Sequence, residues 1–149
     1  MMTAKLKTTI ALNLIVAAVS LLVGIIYFTA TELTDYHKAV IGVDWSTLAP
    51  GAQTLLFILM KGTGDAVFIT GICILFLVLV PLKRGENWAR WAIITVGLTC
   101  YLPMLGGAAY LATTTGAPSP WWLNAILIAL LFAAFFLSGE LKNSNTESK

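Results

Sequence analysis

The chain has 149 residues, of which 58% are hydrophobic and 11% charged, with a formal net charge of +2. A soluble domain this small could not cover so much apolar surface, and the mean hydropathy of +0.88 agrees, so composition excludes an ordinary soluble domain and points to a membrane class. Nucleic-acid binding is also excluded, because no basic face or aromatic–basic interleaving exists outside one short turn.

Lys5 and Lys7 precede an apolar run over residues 8–30. At a rise of about 1.5 Å per residue, this run reaches roughly 34 Å, enough to cross a bilayer. It is too long for the core of a signal peptide. No small-x-small cleavage site closes it, since Phe28 stands two residues before Ala30. It is therefore read as an uncleaved first span. Asn13 within it should face a neighbouring helix, and Ser20 and Gly24 form a small-residue pair suited to close helix contact.

Residues 31–53 form an outward loop. Glu32, Asp35 and Asp44 outweigh Lys38, and the loop holds the only histidine, His37. A single His without a ligand pattern reads as a loop side chain rather than a metal site. Val40, Ile41, Trp45 and Leu48 suggest that part of the loop rests on the membrane surface or caps the bundle.

The second span is placed at 54–80. The apolar stretch from Gly51 is longer than a perpendicular crossing needs. It reads either as one long, tilted helix or as an interfacial helix broken at Gly62-Thr63-Gly64. The continuous helix is preferred, because glycine is tolerated in membrane helices.

The turn Pro81-Leu82-Lys83-Arg84-Gly85-Glu86-Asn87 joins this span to the third, at 88–111. Trp88 and Trp91 suit the headgroup level. Pro103 should kink or loosen the third helix. A short uncharged turn leads to Trp121-Trp122 and the fourth span at 121–138. There Ala125, Ala129 and Ala133 form a small-residue stripe for helix contact. Residues 142–149 read as a disordered cytoplasmic tail. The expected fold is all-α: a single domain over 1–141, built as an antiparallel four-helix transmembrane bundle.

Charge sets the orientation. Lys5, Lys7, Lys83, Arg84, Arg90, Lys142 and Lys149, seven of the nine cations, fall on one side of this layout. The positive-inside rule then puts both termini in the cytoplasm, as in a multi-pass protein of the inner (plasma) membrane.

Lys61 and Asp65 are the sharpest functional lead. Four residues apart, they can pair on one helix face, and charge inside a membrane segment is a functional signal by default. Lys61 snorkelling and Asp65 capping a helix is the structural alternative. Counting helical rise places Asp65 about 22 Å and Tyr101 about 20 Å above the cytoplasmic side. Asn124 lies slightly higher, and Tyr27 marks the outer end of the first helix. Lys61, Asp65, Tyr101, Asn124 and Tyr27, with Tyr110 nearby, are therefore candidates to line one polar pocket in the outer half. By the same count Cys73 stands about 10 Å up and Cys100 about 18 Å up, which disfavours a disulfide between them.

No catalytic signature, phosphate loop or haem-type histidine pair appears, and no cofactor or metal is implied. Two functional readings follow. One is a non-enzymatic protein that binds a small hydrophobic ligand or lipid, or serves as a subunit of a membrane assembly, as a homo-oligomer or beside a partner membrane protein. The other is a small membrane enzyme or transporter subunit using Asp65 and Lys61.

The segment Lys83-Arg84-Gly85-Glu86-Asn87-Trp88-Ala89-Arg90-Trp91, followed by an apolar helix with Tyr101-x-Pro103, resembles small bacterial four-helix membrane proteins. Those are loosely similar to the DoxX-like group in size and layout. The resemblance covers the second to fourth spans and implies a link to quinone-coupled or redox assemblies, but no residue of this chain carries that role over.

Overall fold

The computed structural model describes residues 4–146, with side chains through Gly139. The described chain is all-helical. Helix α1 spans Ala4–Thr29. The loop beyond it holds a short helix, α2, at Asp35–Ile41 and a 3-10 turn at Trp45–Thr47. Helices α3 (Pro50–Leu77), α4 (Trp88–Thr115) and α5 (Trp121–Thr146) follow. Four of these helices are long and apolar enough to cross a membrane.

Local chemistry sets the element ends. Pro50 opens α3 at a position where a missing N–H costs nothing. The helix then runs unbroken through Gly62 and Gly64, so the continuous reading of this stretch holds. It closes in a wider π turn over Val78–Leu82. Pro81 cannot donate to the carbonyl four residues back, and the chain adopts a five-residue step in which Lys83 N–H bonds the Val78 carbonyl at 3.1 Å. Gly116 ends α4 in the left-handed region at φ 69°, where a side chain would be strained. In the outer loop, Asp44 accepts hydrogen bonds from the Ser46 N–H and hydroxyl at 2.9 and 2.7 Å, fixing the 3-10 turn.

Two expectations shift. Helix α4, which contains Pro103 as expected, runs four residues past 111. Helix α5 carries on through 142–146, part of the segment read as a disordered tail, and 147–149 lie outside the described residues.

The helices pack in a ring in the order α1, α3, α4, α5, with α5 closing back on α1. The α1–α3 seam is the most intimate and the α3–α4 seam the loosest. Glycine explains the first. A Cβ on Gly24 would lie 2.6 Å from Phe68 Cβ, and one on Gly64 would lie 2.5 Å from Tyr27 Cβ. Both backbones need bare hydrogens to approach this closely. On α5 the buried stripe is Asn124, Leu127, Leu131, Ala134 and Ser138, spaced by threes and fours as helix-bundle packing requires. The alanine stripe expected to make helix contacts is out of phase with it. Ala129 and Ala133 are exposed and Ala125 is half-buried, so this face is not used inside the bundle.

Large apolar side chains such as Ile25, Leu22, Ile72 and Phe76 stand on the outside of the ring. This is the arrangement of helices solvated by lipid, where apolar surface outside costs nothing. Inside, the turn end of the bundle buries Thr9, Asn13 and part of Arg90. Asn13 Nδ2 donates to the Thr9 carbonyl at 3.0 Å, and Asn13 does face the interior as expected. Thr9 Oγ1, Asn13 Oδ1 and Arg90 Nε are buried with no hydrogen-bond partner. The Arg90 guanidinium lies 5.2 Å from the Phe135 ring and 5.6 Å from that of Trp91.

Candidate functional site

The polar residues proposed for an outer-half pocket have different surroundings. Tyr101 is 1% exposed and points across the bundle, where its hydroxyl meets Ser20 Oγ. Asn124 is buried in the core stripe of α5. Tyr27 sits under the outer loop, its ring edge-on to His37 with centroids 5.8 Å apart. Tyr110 is exposed.

Lys61 does not pair with Asp65. Its Nζ donates to the carbonyls of Phe28 and Ala30, at the end of α1, and lies 5.0 Å from the Phe57 ring centre. The last carbonyls of a helix lack intrahelical donors and carry the negative end of its dipole, so an ammonium belongs there. Asp65, one turn further along, is exposed on the outer face of α3 and has no ion pair among the described residues. The two charges share a helix but serve different neighbours.

A cavity of about 880 Å³ lies instead in the loose α3–α4 seam, open to the side of the bundle. On α3 it is lined by Ile58, Gly62, Thr63, Ala66, Ile69, Thr70 and Cys73, among others, and on α4 by Thr95, Thr99, Cys100 and Met104. Small residues hollow it out. Gly62 has no atom within 4 Å of where a Cβ would stand. Thr63 Oγ1 donates to the Leu59 carbonyl at 3.0 Å and Thr70 Oγ1 to the Ala66 carbonyl at 2.8 Å. With each hydroxyl proton committed to its own helix, these oxygens are left to act as acceptors toward any further partner. Cys100 Sγ lies 3.9 Å from Met104 Sδ, and its thiol is within reach of the Thr70 hydroxyl. Cys73 and Cys100 line the same groove and both are free thiols.

Sequence reasoning missed this groove. The available signal was the small-residue spacing Gly62, Ala66, Thr70 on one helix opposite Thr95 and Thr99 on the next.

It also missed a cluster in the outer loop. His37 Nδ1 lies 2.5 Å from Thr34 Oγ1, and the Tyr36 ring packs on the imidazole at 3.9 Å. Tyr27 and Tyr36 both pack on the imidazole, one edge-on and one tilted. Burial lowers the His37 pKa, and burial together with the Tyr27 neighbour raises that of Tyr36. Lys38 pairs with Glu32 at 2.9 Å on the exposed side of the same loop.

No family model, no curated protein and no solved structure matches this chain.

Proposed function

We propose that this is a non-enzymatic multi-pass protein of the inner membrane, with both termini cytoplasmic, that takes a small hydrophobic ligand or lipid from the bilayer into the α3–α4 groove. The observation that carries this reading is the groove itself. At about 880 Å³ it falls within the size range of ligand sites. It is mostly apolar with a few hydroxyl oxygens, the composition such sites use to hold and orient a ligand. Its opening faces the lipid side, so a ligand enters without crossing water. The partition of lysines and arginines supports the orientation. The enzymatic alternative loses its main support, because Lys61 is held by the end of α1 and not beside Asp65.

Native mass spectrometry of protein gently extracted from its own membrane tests this. A retained lipid-sized mass is expected, and it should be lost when Ala66→Phe or Thr99→Phe fills the groove of a still-folded protein. Retention of the same mass by both filled variants would overturn the reading.

A further inference from the structure

We infer that the ligand of the α3–α4 groove is a lipophilic cation, with its apolar body in the groove and its positive group against Asp65. The inference rests on the groove being a ligand site and adds the chemistry of what it selects.

Asp65 stands on α3 between Gly62 and Ile69, three residues before it and four after, and both line the groove. It does not line the groove itself; helical spacing puts it beside the groove's edge, exposed on α3. Gly62, which does line it, has no side chain and nothing within 4 Å of where a Cβ would stand. Asp65 lies 17 residues from Leu82, about 25 Å along the helix axis, inside a hydrocarbon layer of about 30 Å. Apolar side chains flank it on both sides of the same stripe: Ile58 is 60% exposed and Ile69 59%. A carboxylate in such a place is costly unless a positive group meets it.

Among the described residues no cation pairs with it. Lys61 points to the carbonyls at the end of α1, and Lys38 pairs with Glu32. The other described cations belong to the opposite end of the bundle. The groove walls point the same way. Thr63 and Thr70 offer acceptor oxygens, and among the described residues no cationic side chain lines the cavity. An apolar slot with a carboxylate exposed beside it complements a bulky organic cation or a protonated lipophilic amine. A neutral lipid would leave the carboxylate unmatched.

The test uses the whole protein in nanodiscs, with tetraphenylphosphonium as the cationic probe and triphenylmethane as the neutral one. Binding is measured by equilibrium dialysis in excess of empty nanodiscs. Saturable binding of the cation is expected. Asp65→Asn should weaken it at least tenfold while changing neutral-probe binding less than twofold. Ala66→Phe, which fills the groove, should weaken both. Three results would overturn the inference: no saturable binding of the cation, equal binding of the cation by Asp65→Asn, or an oligomer of the native protein that dissolves in Asp65→Asn, which would make Asp65 a protein contact. If Ala66→Phe leaves both probes bound, the groove reading itself has failed.

Discussion

Tyr101 of α4 donates its phenolic hydrogen to Ser20 Oγ of α1, joining the two helices that stand opposite each other in the ring. The direction follows from the serine, whose single hydroxyl hydrogen goes to the Val16 carbonyl at 2.6 Å. Tyr101→Phe removes this bond and keeps the ring. A loss of about 1 kcal/mol is expected, the scale of one interhelical hydrogen bond in a membrane protein. Thermal unfolding in detergent measures it. Ligand binding in the groove should be unchanged, since Tyr101 does not line it.

Lys61 clasps the end of α1 to α3. Lys61→Met keeps the length of the side chain and leaves the Phe28 and Ala30 carbonyls without their donor. A destabilisation of about 1–2 kcal/mol is expected, with Lys61→Arg recovering part of it. Asp65→Asn should leave stability unchanged or raise it, since it removes a carboxylate with no ion pair among the described residues. The double variant should be additive, because the two side chains do not touch. A coupling of 1 kcal/mol or more in that cycle would show the ion pair that the geometry lacks.

At Gly24 an added methyl would meet Phe68 Cβ at 2.6 Å and Phe68 Cα at 2.8 Å. Backbone and Cβ cannot swing aside, so α1 and α3 must separate. Gly24→Ala should cost about 1–3 kcal/mol. Gly106→Ala, on a helix face with nothing within 4 Å, should be neutral or slightly stabilising. Paired melting curves check the contrast.

His37 makes the docking of the outer loop depend on pH. Above about pH 6.5 the ring is neutral in both the docked and the released loop. As pH falls, the released loop takes up a proton first, because burial holds the docked imidazole below its ordinary value. Docking therefore weakens as pH drops below about 6.5 and stops weakening once the docked ring also protonates. The groups packed on the ring, Tyr27, Tyr36 and Thr34, do not titrate in this window. Hydrogen exchange over residues 31–49 between pH 7.5 and 5 should show the change. His37→Gln should abolish it.

The long helices were legible because each apolar run exceeds what a bilayer crossing requires. The continuity of α3 across two glycines was legible because no Pro follows them before Pro81 and glycine is tolerated in membrane helices. The site was not. Counting residues gives the height of a side chain along a helix, and the heights of Asp65 and Tyr101 are similar. It does not give rotation about the axis. That rotation sends Tyr101 to Ser20 in the core and Asp65 to the outer surface. Lys61 and Asp65, four residues apart, had the spacing to pair. The end of α1 offered Lys61 carbonyls with no other donor, and that competitor is invisible until the two helices are placed side by side. The alanines of α5 failed for the same reason, being one helical position out of phase with the face that packs.

The interlock of α1 with α3, made by Gly24, Gly64 and the grip of Lys61 on the last carbonyls, lies in the helices and not in the segment that connects them. The peptide link over residues 43–49 is then dispensable for holding the helices together. A chain severed between Val43 and Asp44 should behave as two complementary fragments. The shorter one, carrying α1 and α2, would find its slot on the longer one when both are inserted in the same bilayer, making the protein a natural candidate for splitting into a two-part reporter.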